Sequence, residues 1–366
     1  MKFSPGVQME DEKNDLPQYA TNFDKILRDA PKDKKIAIFC HPGPDPDAMG
    51  AMMGLEHLIN GVYGLECVGF FDGTVSHPQN LAMVNLLEPN MRPVAEYKPE
   101  EYSLNCLVDA IPNNAGTGNK PIDFQIVIDH HKDVPNGNFN GLFIHLKNAA
   151  ASSTVFHLMK LFGVKFSDDN DNDSRVATAL MVGIATDTET LLADDTTEYE
   201  LIAWSELFQY RDIMAIKRII NFEMPMFWVE KISQAAKDVV ISEGLGIVGL
   251  GMLDSKHEAL ISTVASHMIT WENITTAIAF AIVDGEKVRG SIRSKSASTS
   301  VATLSKELAV KYHGGGGGKL GKGAYEYLLG GASLDDEDDD ITRTETWELV
   351  KKREVRRIQK TVKPKG

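Results

Sequence analysis

The sequence predicts an α/β fold with two domains. At 366 residues the chain exceeds what one ordinary hydrophobic core organises, so two domains are the natural expectation. Apolar, strand-like runs alternate with segments of helical periodicity, which is typical of a parallel sheet with helices on its faces. A long, mostly helical stretch at 196–235 separates two such sets of elements. We therefore expect an N-terminal parallel-sheet domain and a smaller C-terminal α/β domain joined by a helical connector.

The first domain is predicted from the alternating runs of the N-terminal half. Its strands are expected near residues 36–40, 66–71, 104–108, 125–129 and 141–146. Helical periodicity, continuing into the connector, is expected to give helices near residues 47–60, 79–88, 150–163, 174–186 and 198–220. On this basis the first domain spans residues 1–195 and the connector spans residues 196–235.

The second domain is predicted from a shorter set of runs after the connector. Its strands are expected near residues 246–251, 277–284 and 287–293, and its helices near residues 257–270 and 299–312. The second domain therefore spans residues 236–333.

Residues 334–366 combine an acidic run with a basic tail. The acidic run is Asp335 to Asp340, and residues 341–366 contain nine Lys or Arg and three Glu. This composition favours a solvated tail. A helix that docks on a partner, or a basic arm near nucleic acid, is left open by the near-helical spacing of its few apolar residues.

Composition bounds the class of protein and its partners. Hydrophobic residues make up 43% of the chain and charged residues 25%, as in soluble globular proteins. No apolar run reaches the roughly 18 residues of a membrane span, so we expect no membrane partner. Cys40, Cys67 and Cys106 lie within apolar runs, which suits a reducing compartment, and we expect a cytoplasmic protein. The net charge of −14 argues against a sequence-independent coat on duplex DNA.

Histidines and aspartates follow the apolar runs at four places. One such Asp would be an ordinary turn or cap residue, but the ends of parallel strands share one rim, where ligands bind. Two or more histidines with several aspartates at one rim are what a pair of metal ions requires. The residues are His41, Asp45 and Asp47 after KKIAIFC, Asp109 after LNCLV, Asp129, His130 and His131 at the end of QIVID, and Asp187 in MVGIATDTET.

These four motifs resemble the N-terminal domain of the DHH phosphoesterase family. Members of that family include RecJ-type exonucleases, nanoRNase/pAp phosphatases, cyclic dinucleotide phosphodiesterases and family II pyrophosphatases. The segment Gly290-Ser-Ile-Arg-Ser294, an intervening helix and the run Gly314 to Gly318 resemble the DHH-associated C-terminal domain. The resemblance covers roughly residues 20–333 and implies a metal-dependent phosphodiesterase or phosphatase.

The resemblance also implies two Mn²⁺ ions per active site, with Mg²⁺ as an alternative ion. Mixed imidazole and carboxylate ligands suit manganese better than magnesium or structural zinc. Asp109 would bridge the ions, and together they would activate a water for attack on phosphorus. The implied ligands are His41, Asp45 and Asp109 for one ion, and Asp47, Asp109, His130 and Asp187 for the other.

The remaining site residues are assigned by the same resemblance. Asp129 would orient His130 or His131, and His131 would face the phosphate as an acid or as a stabiliser of charge. The family has a histidine after its glycines, where this chain has Lys319, so the identity of the substrate is left open. The glycine run itself reads either as a flexible linker or as a loop that binds phosphate. The expected substrate-binding residues are Arg293, Ser294, Gly316, Gly317, Gly318 and Lys319.

The function expected from these observations is hydrolysis of short substrates. We expect a manganese-dependent phosphoesterase that acts on short single-stranded oligonucleotides or small nucleotide phosphates, of the nanoRNase/pAp phosphatase type. The alternatives are a cyclic dinucleotide phosphodiesterase and a non-catalytic nucleotide-binding regulator. A homodimer is also left open.

Overall fold

The computed structural model describes residues 16–131, 134–135, 139–296, 300–319, 321–335 and 339–362. These residues divide into two compact units. The first unit contains the chain up to Val75 together with Gln79–Phe222, and the second contains Ser76–Pro78 together with the chain from Glu223. The helices that the sequence assigned to a connector therefore divide between the units.

The first unit is built on a parallel sheet. Its strands are β1 (Lys35–Phe39), β2 (Cys67–Phe71), β3 (Met91–Pro93), β4 (Tyr102–Val108), β5 (Ile126–Asp129) and β6 (Leu142–His145). The strand order is β3-β2-β1-β4-β5-β6, and every neighbouring pair is parallel. From β1 the chain continues to β2 and β3 on one side of the sheet, and from β4 it continues to β5 and β6 on the other side. This reversal places a topological switch point between β1 and β4.

Both faces of this sheet are covered. Ile36 and Ile38 of β1 pack into a core with the helices, whereas Ala37 and Phe39 pack on the opposite face with Tyr97 and other aromatic rings. This period-two division is what a strand buried on both faces requires. The helices are α1 (Leu16–Arg28), α2 (Pro46–Tyr63), α3 (Pro78–Leu87), α4 (Ala151–Leu161), α5 (Asp171–Asp187), α6 (Glu198–Leu207) and α7 (Ile213–Ile220).

The second unit contains a mixed sheet. Its strands are β7 (Val240–Ser242), β8 (Leu245–Leu253), β9 (Thr276–Val283), β10 (Lys287–Ser294), β11 (Gly315–Lys319) and β12 (Lys322–Leu328), in the order β11-β12-β10-β9-β8-β7. Strands β8 and β9 pair in parallel, and the other neighbours are antiparallel. The helices of this unit are α8 (Met226–Asp238), α9 (Ala259–Met268), α10 (Val301–Val310) and α11 (Asp340–Val362).

The predicted fold class is confirmed: a parallel sheet with helices is followed by a second α/β unit. The predicted helix near 198–220 was wrong in one respect, because it is two helices. The side chain of Asp212 accepts hydrogen bonds from the amides of Met214 and Ala215 and so starts α7 anew. Helix α1 and strands β3, β7, β11 and β12 were not predicted, and α8 was predicted only as part of the mostly helical connector.

The glycine run is neither a linker nor a loop. It forms β11, whose partner is β12, and helix α10 lies directly against it. A Cβ at Gly316 would overlap the carbonyl of Ser305 in α10, whereas a Cβ at Gly315 or Gly317 would meet no atom within 4 Å. The alternate glycines therefore permit a close helix–strand approach on one face and leave a bare backbone on the other.

The solvated tail favoured by the sequence was also wrong. The tail forms α11, which buries Val350 and Ile358 against the second sheet. Buried Glu354 lies between them and accepts hydrogen bonds from the hydroxyls of Tyr327 at 2.5 Å and Tyr325 at 3.2 Å. These partners are distant in sequence, so the charged tail gave no sign of them.

Within the part of the chain that the structure describes, none of the helices combines the length and the apolar character needed to cross a membrane.

Candidate metal centre

The loop after β1 carries the first candidate ligands. Asp45 is the N-cap of α2, and its Oδ1 accepts hydrogen bonds from the amides of Asp47 and Ala48, both at 3.0 Å. His41 donates from Nδ1 to the carbonyl of Pro42 at 3.0 Å, which leaves Nε2 as its free ring nitrogen. That nitrogen lies 3.7 Å from Asp45 Oδ1 and 3.4 Å from Oδ2 of Asp109.

Asp47 is completely buried and is held by the start of α4. The amide of Ala151 donates to its Oδ2 at 2.6 Å, and the amide of Ser152 donates to its Oδ1 at 2.9 Å. The Ser152 hydroxyl donates in turn to the Asp47 carbonyl at 3.1 Å. The unpaired amides of a helix N-terminus favour an anion, so α4 fixes the orientation of this carboxylate.

Gly183 of α5 allows this arrangement. A Cβ at Gly183 would overlap the Ser152 hydroxyl and lie 3.0 Å from both Cα and Oδ1 of Asp47. Ser152 and Gly183 are therefore supporting residues that the sequence reasoning missed, and a small residue in a helical run carries no signal that would have identified them.

Asp109 lies at the switch point, directly after β4. It is 2% exposed and has a φ of +54°, in the left-handed region that Asp and Asn adopt more readily than other side chains. Its Oδ1 lies 3.3 Å from Nε2 of His130, while its Oδ2 faces His41. Asp109 thus has one carboxylate oxygen toward each histidine.

The end of β5 supplies the next group. Asp129 is fully buried, and its Oδ1 accepts hydrogen bonds from the His130 amide at 2.9 Å and from His131 Nδ1 at 2.8 Å. The sequence left open whether Asp129 orients His130 or His131. In the structure, Asp129 contacts the ring of His131. His145, at the end of β6, donates from Nε2 to the His131 carbonyl at 2.8 Å and was not singled out from the sequence.

Among the residues that the structure describes, three groups of side chains have ligand atoms close enough to share a metal ion. Within each group, the ligand atoms all lie within 4.8 Å of one another. His130 Nε2 also lies 3.4 Å from Oδ2 of Asp187, which ends α5, and 4.0 Å from Oδ2 of Asp47. The groups are His41, Asp45 and Asp109; Asp47, His130 and Asp187; and Asp109, His130 and His131.

The state of the buried atoms fits a bound cation. Among the described residues, neither Asp109 Oδ1 nor His130 Nε2 finds a hydrogen-bond partner, although both atoms are buried. Burial and the neighbouring charge of Asp109 raise the pKa of Asp47 to about 7, against the opposing charge of His130. Burial and the charge of Asp47 raise the pKa of Asp187 well above its usual range. Divalent cations would pair the orphaned atoms and relieve this repulsion.

The candidate substrate-binding residues belong to the second unit. Arg293 of β10 donates from Nε to the hydroxyl of Ser266 and from Nη1 to the hydroxyl of Ser291, both at 3.0 Å. The hydroxyl of Ser294 lies 3.0 Å from the hydroxyl of Thr276. Gly316, Gly317 and Gly318 lie in β11, and the side chain of Lys319 falls outside the described part of the structure.

Two curated relatives share sequence with most of this chain. An uncharacterized protein of Methanocaldococcus jannaschii is 26% identical over 290 residues, which cover 78% of this chain and 56% of that protein. The chain thus spans little more than half the length of this relative. A protein of Streptococcus mutans, named as a probable bifunctional oligoribonuclease and PAP phosphatase NrnA, is 28% identical over 84% of this chain and 95% of its own length.

A solved structure shares the fold. An exopolyphosphatase-related protein from Bacteroides fragilis superposes with a TM-score of 0.66, covering 94% of this chain and 98% of its own, at 15% identity. Residues 35–184 match the DHH family, N-terminal domain. This segment runs from the start of β1 almost to the end of α5 and includes each candidate ligand except Asp187. Residues 35–184 of this chain are thus similar to the N-terminal domain of the DHH family.

Proposed function

We propose that this chain is a manganese-dependent phosphoesterase that hydrolyses short oligonucleotides or nucleotide phosphates. The observation that carries the proposal is the position of Asp109, whose two carboxylate oxygens face two separate histidines. A carboxylate in this position suits a bridge between two cations. The similarity to the Streptococcus mutans protein, which is named as a probable oligoribonuclease and PAP phosphatase and matches over most of both chains, supports the substrate class.

The proposed ligands divide into two sets that share Asp109. His41 and Asp45 complete one set, and Asp47, His130 and Asp187 complete the other. Imidazole and carboxylate donors together favour manganese over magnesium, which prefers oxygen ligands alone. When bound, such a pair of ions supplies Lewis acidity and a water of lowered pKa.

The chain's own residues would then position the substrate. Asp129 holds the proton of His131 on Nδ1, so Nε2 is the ring nitrogen that can meet a phosphate oxygen or a leaving group. His131 has a side chain that is 39% exposed, in contrast to the 6% of His130. This difference suits a substrate-facing role for His131 and a ligand role for His130. We assign Arg293, Ser294 and β11 to substrate binding, because guanidinium and free backbone amides recognise phosphate.

A substrate panel tests this proposal. The purified full chain with Mn²⁺ is offered adenosine 3′,5′-bisphosphate, di- to decanucleotides, cyclic dinucleotides and pyrophosphate, and product release is measured. We expect turnover of the bisphosphate and the shortest oligonucleotides, with none by Asp109→Asn. Turnover confined to cyclic dinucleotides or to pyrophosphate would contradict the proposed substrate class. If no substrate is turned over, the proposal that the chain is a phosphoesterase is wrong.

A further inference from the structure

Helix α11 presents a basic row on the side opposite its buried face. The buried residues Val350, Glu354 and Ile358 are spaced at intervals of four. Lys352, Arg356 and Lys360 have the same spacing two residues later, which corresponds to about 200° around a helix. All three are exposed. We call Lys352, Arg356 and Lys360 the basic row; it extends over about 12 Å of the helix.

The helix that carries the basic row is fixed to its sheet. Glu354 accepts hydrogen bonds from two tyrosine hydroxyls and pairs with Arg357 at 2.5 Å. The guanidinium of Arg357 lies 4.8 Å from the ring centre of Tyr327 and 5.2 Å from that of Tyr312. The row is therefore presented as a preformed surface, which lowers the entropic cost of binding a partner.

A cavity continues the row at the C-terminal end of the helix. Its volume is about 370 Å³, and it is lined by Arg356, Gln359, Lys360 and Val362 of α11 and by Ser242, Glu243 and Leu245 of the β7–β8 hairpin. Cavities of roughly 300–1,000 Å³ accommodate small ligands. The lining combines two cations with a hydroxyl, an amide and a carboxylate, which can bind a phosphate and the polar edge of a base together.

We propose that the basic row and this cavity form a binding surface for single-stranded nucleic acid. Regularly spaced cations match a chain of phosphates, and a cavity with both polar and apolar side chains beside them matches an unstacked nucleotide. A membrane surface fits less well, because Val350 and Ile358 of α11 are packed against the helix's own sheet and cannot insert into a bilayer. The proposal uses none of the candidate metal ligands, so it does not depend on hydrolysis at the metal centre.

The ionic part of this proposal is tested by binding of a fluorescent single strand of about 12 nucleotides, within the site sizes of single-strand binding proteins. Phosphorothioate linkages protect the strand from hydrolysis, and anisotropy is measured at increasing salt. In the full chain, the triple change Lys352→Gln, Arg356→Gln and Lys360→Gln should raise Kd about tenfold or more. It should also reduce the slope of log K against log salt by about 2, since each phosphate contact of a single strand contributes about 0.7.

A matched control separates the row from net charge. The triple change Lys25→Gln, Lys237→Gln and Lys306→Gln removes the same charge at exposed positions elsewhere and should leave Kd nearly unchanged. Equal weakening in both variants, or none in either, would reject the surface. Row-dependent binding to phosphatidylserine vesicles without binding to the single strand would assign it to membranes instead and would also overturn the proposal.

The cavity is tested by filling it. Ser242→Trp places an indole at the exposed end of β7 and should weaken binding. It should change the salt slope less than the triple substitution does, because Arg356 and Lys360 keep their charges. Unchanged binding in Ser242→Trp would remove the cavity from the proposed surface and contradict the recognition of a nucleotide there.

Discussion

Asp129 accepts a hydrogen bond from His131 Nδ1 at 2.8 Å, and this contact leaves Nε2 as the ring nitrogen that would meet the proposed substrate. The carboxylate is fully buried and also accepts from the His130 amide. The His130 amide therefore helps to fix the orientation of the same carboxylate that contacts the His131 ring. Partners of this kind fix the tautomer and ring orientation of a functional histidine.

Replacing His131 should slow the reaction without removing the metals. We expect His131→Ala to reduce kcat by roughly two to four powers of ten, the range for a lost acid or charge-stabilising group. Manganese content, measured by elemental analysis, should remain that of the wild-type chain. His267→Ala, at an exposed position of α9, is the matched control. Near-normal turnover of His131→Ala would reduce His131 to a structural residue.

Replacing Asp109 should remove both ions. Asn tolerates the left-handed conformation found at this position, so Asp109→Asn removes the charge with little backbone strain. We expect the metal content to fall from about two ions per chain to well below one, because both proposed ligand sets contain this residue. The exposed substitution Asp168→Asn should bind metal normally, and full occupancy in Asp109→Asn would refute the bridging role.

Filling Gly183 should disturb Asp47 through Ser152. A methyl group there would overlap the Ser152 hydroxyl and crowd the Asp47 carboxylate. Gly183→Ala should therefore lower the free energy of unfolding by about 1–3 kcal/mol and weaken metal binding. Gly61→Ala is the control, since a Cβ at that exposed position of α2 meets no atom within 4 Å. Ala in place of Gly within a helix should stabilise by roughly 0.5–1 kcal/mol. Equal effects in the two variants would show that Gly183 has no special role.

The parallel sheet and the order of the motifs could be predicted from sequence because they depend on local pattern. Runs such as KIAIF are buried on both faces and read directly as inner strands. The strand order could not be read in this way. Only the reversal between β1 and β4 brings Asp109 beside His41, and no local pattern encodes which strands pair.

The second unit was less predictable because its signals are ambiguous. A run of glycine has no hydrophobic period, so β11 depends on α10 and β12 for its conformation. Likewise, the charged sequence around Glu354 predicts that this residue lies on the surface. Its burial depends on Tyr325 and Tyr327, which meet it only in the folded chain.

The stability of the second unit should depend on pH through His77. Burial lowers the pKa of His77 to about 4, and its ring lies 5.7 Å from that of Trp228. The unfolded chain, with an ordinary pKa of 6.5 for this group, then binds the proton more readily. Its contribution to stability is therefore present above pH 6.5 and declines as the pH falls toward 4, by about 2 kcal/mol at pH 5.

Comparing urea unfolding at pH 7 and pH 5 tests this dependence. His77→Gln should lose less stability than the wild-type chain between the two values. His267→Gln, at an exposed position, should behave as wild type. An identical loss in His77→Gln and wild type would show that other groups account for the acid sensitivity.

Removing the Glu354 carboxylate should release α11 from the sheet. Arg357, whose side chain is 12% exposed, would lose its ion-pair partner, and an uncompensated buried charge costs about 3–5 kcal/mol. We expect Glu354→Ala to lower the urea midpoint followed by tryptophan fluorescence, because Trp228, Trp271 and Trp347 report on this unit. Glu348→Ala, at an exposed position of the same helix, should change the free energy of unfolding by less than about 0.5 kcal/mol.

Cutting the chain after Leu334 should destabilise the second unit more than Glu354→Ala does, since it also uncovers the surface on which Val350 and Ile358 pack. If both Glu354→Ala and the truncated chain unfold at the wild-type midpoint, α11 contributes nothing to the core and its network is only a surface contact.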